Sequence, residues 1–243
     1  MMRPLYVSAY RAAARRAHST QPFHFSECVA GGLPELPDAR PSLATAAFDY
    51  RDPLSLASDL SADEQAIYDT ARGFAQAELL PRIVDANRAG TFDRGIMRTF
   101  GQLGLLGLTA PVEYGGGGAG YVAYGLSARA VEQVDSGYRS AMSVQSSLVM
   151  HPISIFGSEE HKERWLPSLA TGEAIGCFGL TEPDHGSDPS GMKTRAVWDG
   201  ASREWTITGS KTWITHAPIA DVLLAWARAD ADNGAVRGAL VGR

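Results

Sequence analysis

The feature that most limits the fold of this chain is a change of texture near Gly172. Before it, apolar residues recur at helical spacing; after it, short β-prone runs alternate with Gly, Pro, Asp and Ser turns. Helices first and strands afterwards predict an α+β protein with segregated elements. Ser61-Ala62-Asp63-Glu64 reads as a capping box, and Ile67, Ala71, Phe74 and Leu79 follow on one helical face. Pro81 should bend or end that helix. A second helix follows Asp93 with Ile96, Met97, Phe100 and Leu103 on one side, and others are expected over residues 121–134 and 139–150. Ser158 caps the run Glu159-Glu160-His161-Lys162-Glu163, which Gly172 closes. Strands are expected over residues 174–180, 194–198, 205–208, 212–215 and 222–227, with 238–241 beginning another. The division implied is a helical domain over 48–172 and an antiparallel β domain over 173–243, cut off mid-strand.

Composition narrows the function classes. Of 243 residues, 44% are hydrophobic and 20% charged, as in an ordinary globular chain. A net charge of −5 and a pI near 5.7 argue against nucleic-acid partners, which need a basic face. No apolar run approaches the roughly 20 residues of a membrane span. Cys28 and Cys177 form neither a disulfide framework nor a metal cluster, and Cys177 reads as a buried reduced thiol. His151, His161, His185 and His216 lack metal-ligand spacing, so no metal site is expected. Residues 1–26 carry Arg3, Arg11, Arg15 and Arg16 and no acid, the composition of a mitochondrial transit peptide; a basic tail without that role is the alternative. Pro34, Pro37 and Pro41 mark a linker, so residues 1–47 are read as leader and linker, bound for the mitochondrial matrix.

Two stretches after Gly172 carry chemistry. The first is Cys177-Phe178-Gly179-Leu180-Thr181-Glu182-Pro183-Asp184-His185-Gly186-Ser187-Asp188. A strand that turns at Glu-Pro into a Gly-Ser-Asp loop bares N–H groups and hydroxyls, which suit the polar edge of a flavin or a pyrophosphate. By composition alone it is only a turn of Pro, Gly, Ser and Asp. The second is Gly209-Ser210-Lys211-Thr212-Trp213-Ile214-Thr215. As a strand it would put Trp213 and Thr215 on one face, an indole and a hydroxyl able to flank a flavin ring near its N5. Core packing for Trp213 and solvent for Thr215 is the alternative. The run Gly115-Gly116-Gly117-Gly118-Ala119-Gly120 suggests a phosphate loop but joins two helices and follows no strand, so it is declined.

Taken together, Leu180-Thr181-Glu182-Pro183…Gly186-Ser187-Asp188 and Gly-Ser-Lys-Thr-Trp-Ile-Thr resemble the flavin-site pattern of the acyl-CoA dehydrogenase family. Pro111-Val112-Glu113-Tyr114-Gly115-Gly116 is similar to its interhelical loop, and the likeness runs from about Phe48 to the last residue. The resemblance implies an N-terminal helical domain followed by a truncated antiparallel β-barrel middle domain. It implies FAD held by Phe178, Gly179, Leu180, Thr181, Glu182, Pro183, Asp184, His185, Gly186 and Ser187 together with Trp213, Ile214 and Thr215. An acyl-CoA substrate, an electron-transfer flavoprotein as electron acceptor, and a homotetramer at full length are also implied.

Within the family, Phe48-Asp49-Tyr50-Arg51-Asp52-Pro53 and the stretch Asp135-Ser136-Gly137-Tyr138-Arg139-Ser140-Ala141-Met142-Ser143-Val144-Gln145 resemble the glutaryl-CoA dehydrogenase branch. That likeness implies Arg139 and Ser140 as holders of a distal carboxylate, with Glu132 nearby and Ser187 against the acyl-CoA. The residue chemistry is compatible: Asp-Ser-Gly should break the helix so that Arg139 and Ser140 open the next one, where N–H groups and a cation favour an anion. Residues alone would favour a surface pair of Arg139 with Glu132 or Asp135. His185 and His216 stand where relatives commonly carry a small residue and an asparagine. No glutamate here matches the family's catalytic base, which the resemblance places in a closing helical domain beyond residue 243. Three readings follow: a glutaryl-CoA dehydrogenase seen in part, a dehydrogenase of another short acyl-CoA, or a non-catalytic remnant that holds flavin.

Overall fold

The computed structural model describes residues 5–8, 48–50 and 52–243. The leader reading, Cys28 and Arg51 lie outside the described residues, apart from one short strand, β1 (Leu5–Ser8). The chain forms two compact units, residues 11–60 and the remainder. In the first, the Asp52 carboxylate accepts from the N–H groups of Leu56 and Ala57, both at 2.9 Å, and starts a 3-10 turn over Leu56–Asp59.

The second unit begins where the capping box sits. Ser61 Oγ accepts from the Glu64 N–H at 3.2 Å, and Glu64 accepts from the Ser61 N–H at 2.9 Å, opening α1 (Ala62–Phe74). That helix passes into a π-turn over Ala75–Leu79 and a bend at Pro81. The short α2 (Ile83–Ala89) beyond it was not separated in the sequence. Next come α3 (Gly95–Gln102), α4 (Tyr121–Glu132) and α5 (Ser136–Ser143). A π-turn over Val144–Met150 then joins α5 to α6 (His151–Phe156), and α7 (Glu159–Ala170) follows its Ser158 cap. The helix expected at 139–150 thus starts three residues earlier and continues further. Its early start is due to Asp135, whose carboxylate caps the N–H groups of Gly137 and Tyr138 at 2.7 and 3.1 Å.

Ala71, Leu79, Met97, Phe100, Val131 and Met142 are buried together, with Phe74 edge-on to Phe100 at 5.6 Å. Each large side chain so enclosed contributes about 1.5–3 kcal/mol. Gly172 ends this region because nothing else fits. Its φ is +70°, and a Cβ would stand 2.1 Å from the Met97 carbonyl. The glycine run is likewise explained by packing, since a Cβ on Gly116 would meet the Ala110 carbonyl at 2.3 Å.

Beyond Gly172 lie β2 (Gly176–Gly179), β3 (Arg195–Asp199), β4 (Glu204–Thr208), β5 (Val222–Ala229) and β6 (Ala235–Gly242), which form one sheet with β1. β5 is its axis. β6 pairs with it antiparallel from Val222↔Gly242 to Ala229↔Ala235. The other edge of β5 is shared: β2 lies parallel to its first half and β3 parallel to its last two residues. β4 pairs antiparallel with β3, and β1 with β4. The order of helices then sheet is as the resemblance implied, while in detail the sheet is mixed and not closed. Parallel pairs arise from long crossovers, which local alternation cannot reveal. Between β2 and β3 the chain leaves the edge of β5 as a loop over residues 180–194.

The strand expected over 212–215 does not form; the segment bends at Trp213 and enters a turn at Thr215. Trp213 and His216 take φ values of +58° and +71°, which no strand accommodates. The Ala217 and Ile219 N–H groups close turns on the carbonyls of Ile214 and His216, at 3.2 and 2.8 Å. Trp213 and Thr215 therefore do not share the face of a strand.

Candidate functional site

The two chemically suggestive stretches are brought together. The turn over residues 211–216 runs alongside β2 and is fastened at both ends. At one end the Thr212 N–H donates to the Thr181 carbonyl, and Lys211 Nζ donates to the Leu180 carbonyl, both at 3.0 Å. At the other, His216 Nδ1 lies 3.0 Å from the Gly176 carbonyl. Trp213 projects between these anchors and is 92% exposed, a flat apolar plate without cover from the described chain. Ile214 and Thr215 are half-buried behind it.

The facing loop sorts its residues by depth. Phe178 is half-buried, edge-on to Trp226 at 6.0 Å, and Gly179 pairs with Ala225. Glu182 and His185 exchange backbone hydrogen bonds of 3.1 Å each, which tightens the Pro183-Asp184 corner. Pro183, Asp184, Gly186 and Ser187 are exposed and His185 half-buried, so the loop presents backbone and hydroxyl groups outward. Asp184 pairs with Lys193 at 2.6 Å, which holds its carboxyl below the usual range.

Glu182 is different, being only 4% exposed. Its carboxylate accepts from the Lys193 N–H at 2.6 Å, the Thr194 N–H at 2.9 Å, the Thr194 hydroxyl, and Lys211 Nζ at 2.9 Å. Burial alone would raise its pKa; these donors outweigh it and hold the group at about 2. Its side chain points into the protein.

The proposed acyl-end residues gather at the α4–α5 corner. Glu132 accepts from Arg139 Nε at 2.6 Å and from the Ser136 hydroxyl, which hold its carboxyl low. The ion pair that residues alone favoured is thus formed, through one of the five guanidinium donors. The helix N-terminus that was to favour an anion is occupied by Asp135, and Arg139 and Ser140 beside it are half-buried. A line of rings connects this corner to the turn. Tyr138 lies 6.1 Å from Phe92, and Phe92 lies 5.8 Å from the ring of His216.

Several supporting residues carried no role in the sequence reading. Gln145, fully buried, donates to the carbonyls of Leu169 and Ala174 at 2.9 and 2.8 Å and accepts from the Gly176 N–H at 2.8 Å. Arg94 donates to the Ile219 carbonyl at 2.6 Å and pairs with Asp221, whose carboxylate accepts from the Ile175 N–H at 2.8 Å. A lone lysine amid β-prone residues, Lys211, was the one available signal for the buried network. His216 is buried, which lowers its pKa, and its Nε2 has no partner. Cys177 is buried too, pushing its thiol up to about 11. Among the described residues no group of His, Cys, Asp and Glu is arranged to hold a metal, and no helix is long and apolar enough to cross a membrane.

A helical unit, a mixed sheet packed on it, and a polar loop clasped to an exposed indole define the acyl-CoA dehydrogenase fold class. The match is direct: residues 61–173 match the acyl-CoA dehydrogenase N-terminal domain and residues 177–243 the middle domain, and this chain belongs to the acyl-CoA dehydrogenase family. The crystal structure of glutaryl-CoA dehydrogenase from Mycobacterium smegmatis is 47% identical, with a TM-score of 0.73 over 79% of this chain and 48% of that one. A glutaryl-CoA dehydrogenase structure from the same organism, in complex with FADH2, is 45% identical, with a TM-score of 0.72 over 76% and 47%. Human mitochondrial short-chain specific acyl-CoA dehydrogenase is 37% identical over 71% of this chain and 41% of its own length. The chain thus spans about half the length of the relatives it matches.

Proposed function

We propose that this chain forms the helical and middle domains, residues 48–172 and 173–243, of an FAD-dependent acyl-CoA dehydrogenase of the glutaryl-CoA branch. The reaction assigned is oxidation of glutaryl-CoA with decarboxylation to crotonyl-CoA, electrons passing to an electron-transfer flavoprotein. A homotetramer at full length and a mitochondrial matrix location complete the reading. The location rests on the leader composition and the mitochondrial relatives, although a Bacillus subtilis relative is also 35% identical.

The observation that carries the flavin assignment is the clasp between the loop after β2 and the turn holding Trp213. An indole left 92% exposed beside a loop of outward N–H and hydroxyl groups fits a flat group with one polar edge. FAD, when bound, supplies the hydride acceptor. In this reading Phe178–Ser187 present donors to its polar edge, Trp213, Ile214 and Thr215 flank it, and Ser187 also meets the acyl-CoA. Glu182 contributes through the backbone it fixes.

Substrate choice is assigned to Arg139 and Ser140. Glutaryl-CoA differs from butyryl-CoA by a terminal carboxylate, and leaving that group unpaired out of water would cost several kcal/mol. A guanidinium supplies a permanent charge and several donors, and each bond to a charged group contributes about 1.5–3 kcal/mol. The FAD-loaded protein should therefore bind glutaryl-CoA at least about tenfold more tightly than butyryl-CoA. Arg139→Leu should remove that preference and leave butyryl-CoA binding nearly unchanged. Titration calorimetry with both thioesters decides: equal losses on both, with normal flavin content, would make Arg139 structural and favour dehydrogenation of another short acyl-CoA.

A further inference from the structure

Glu182 and Lys211 are the most buried ion pair among the described residues, their side chains 3% and 13% exposed. They sit where three segments converge. The carboxylate ties down the entry to β3 through the Lys193 and Thr194 N–H groups. The ammonium binds the Leu180 carbonyl at the exit of β2 and stands 3.7 Å from Met192 Sδ. The next residue along, Thr212, closes onto Thr181. The residue after Thr212, Trp213, is held in a left-handed conformation, which persists only where neighbours over-determine it. The pair's bonds, as described, all run inward to the protein.

Burying two charges is a weak route to stability, because desolvation offsets the attraction. What such a pair specifies well is geometry. An ammonium with its donors fixed on Leu180 and Glu182 admits one placement of the turn against the loop. We propose that Glu182 and Lys211 are a positioning pair, which never touches the cofactor but sets the turn carrying Trp213 and Thr215 against the Phe178–Ser187 loop. This inference rests on the flavin reading above, and it moves Glu182 from the cofactor's contacts to the support behind them. Lys211, which had no role, becomes the residue on which the site's alignment depends.

The test uses the 243-residue protein with Lys211→Met, Lys211→Arg and Glu182→Gln. In the cofactor-free protein, amide hydrogen exchange at Thr212 and Thr194 should accelerate at least tenfold in Lys211→Met and Glu182→Gln, while amides of α1 and α4 keep their rates. The same variants should bind FAD at least tenfold more weakly and alter its visible spectrum. Lys211→Arg, which keeps a cation with several donors, should stay within about threefold of the parent. Lys211→Gln serves if Lys211→Met does not fold. Unchanged exchange at Thr212, or acceleration spread evenly over all helices, would overturn the proposal. If the parent itself does not bind FAD, the flavin reading fails, and the exchange measurement still decides whether the pair sets the turn.

Discussion

The helical and strand regions are held together by different forces. Of the largest fully buried side chains, only Ile175 and Met192 lie beyond Gly172; the rest, from Leu79 to Leu169, lie on the helices or, for Leu105 and Leu106, in the loop after α3. Both regions bury polar side chains, but those of the helical region, Ser127, Gln145 and Ser146, are uncharged, whereas the strand region buries Glu182 with Thr194 and His216 and nearly buries Lys211. Apolar burial is non-directional, so it secures a shape without fixing any one contact. Hydrogen-bonded charges are directional and punish misplacement. The region assigned to position a cofactor is thus the one fastened by a buried, hydrogen-bonded ion pair.

The largest effect should come from the apolar side. Phe100→Ala removes a ring that is 0% exposed and packed against Phe74, and should destabilise the protein by about 3–5 kcal/mol in urea titrations. The loss should be the same at pH 7 and pH 4, because no titrating group is involved. A loss that grew with acid would break the contrast between the regions.

Glu182→Gln comes next, at about 3 kcal/mol, since it strands a cation that is largely out of water. Here the pH dependence is the sharper reading. The Glu182 carboxyl lies at about 2 when folded and at 4.5 ordinarily. Above 4.5 both states are ionised and its stabilisation is complete. As pH falls from 4.5 toward 2 the unfolded state takes up the proton first, and the contribution is lost. The parent's stability should fall through that window more steeply than the variant's. Parallel curves would show that the carboxylate is not held as described.

His216→Asn should have the smallest effect, about 1 kcal/mol or less at pH 7. Burial lowers the His216 pKa below 6.5, although the bond to the Gly176 carbonyl works the other way. Below 6.5 the unfolded histidine binds a proton that the folded one refuses, so stability declines as pH drops from 6.5 toward the folded value. Asparagine tolerates the left-handed backbone and can still donate to Gly176, so the variant should lack this decline. A decline that survives in the variant would place its origin elsewhere.

The sequence was most legible where the determinants are local. The Ser61 and Ser158 caps, the buried face of α3 and the β3–β4 hairpin all follow from neighbours within a few residues. It was least legible where distant groups decide. Thr212-Trp213-Ile214-Thr215 has strand composition, but Lys211 and His216 tie its ends to β2 and force two left-handed residues. Nothing local marks the parallel pairing of β2 and β3 to β5. The proposed site residues come from a motif, while the hydrogen bonds that Gln145, Lys211 and Thr194 make around that segment join residues far apart in the chain and appear only in the fold.

The most direct test of the account is whether residues 1–243 hold FAD through the clasp. Titrating FAD into the folded protein should give one site per chain, with quenched flavin fluorescence and an altered flavin absorbance band. Trp213→Ala should weaken that binding by about tenfold, as loss of one large stacking surface would, and leave thermal unfolding of the cofactor-free protein unchanged. Folded protein that takes up no FAD, or a Trp213→Ala variant that binds it as tightly as the parent, would contradict the assignment of this turn and loop as a flavin site.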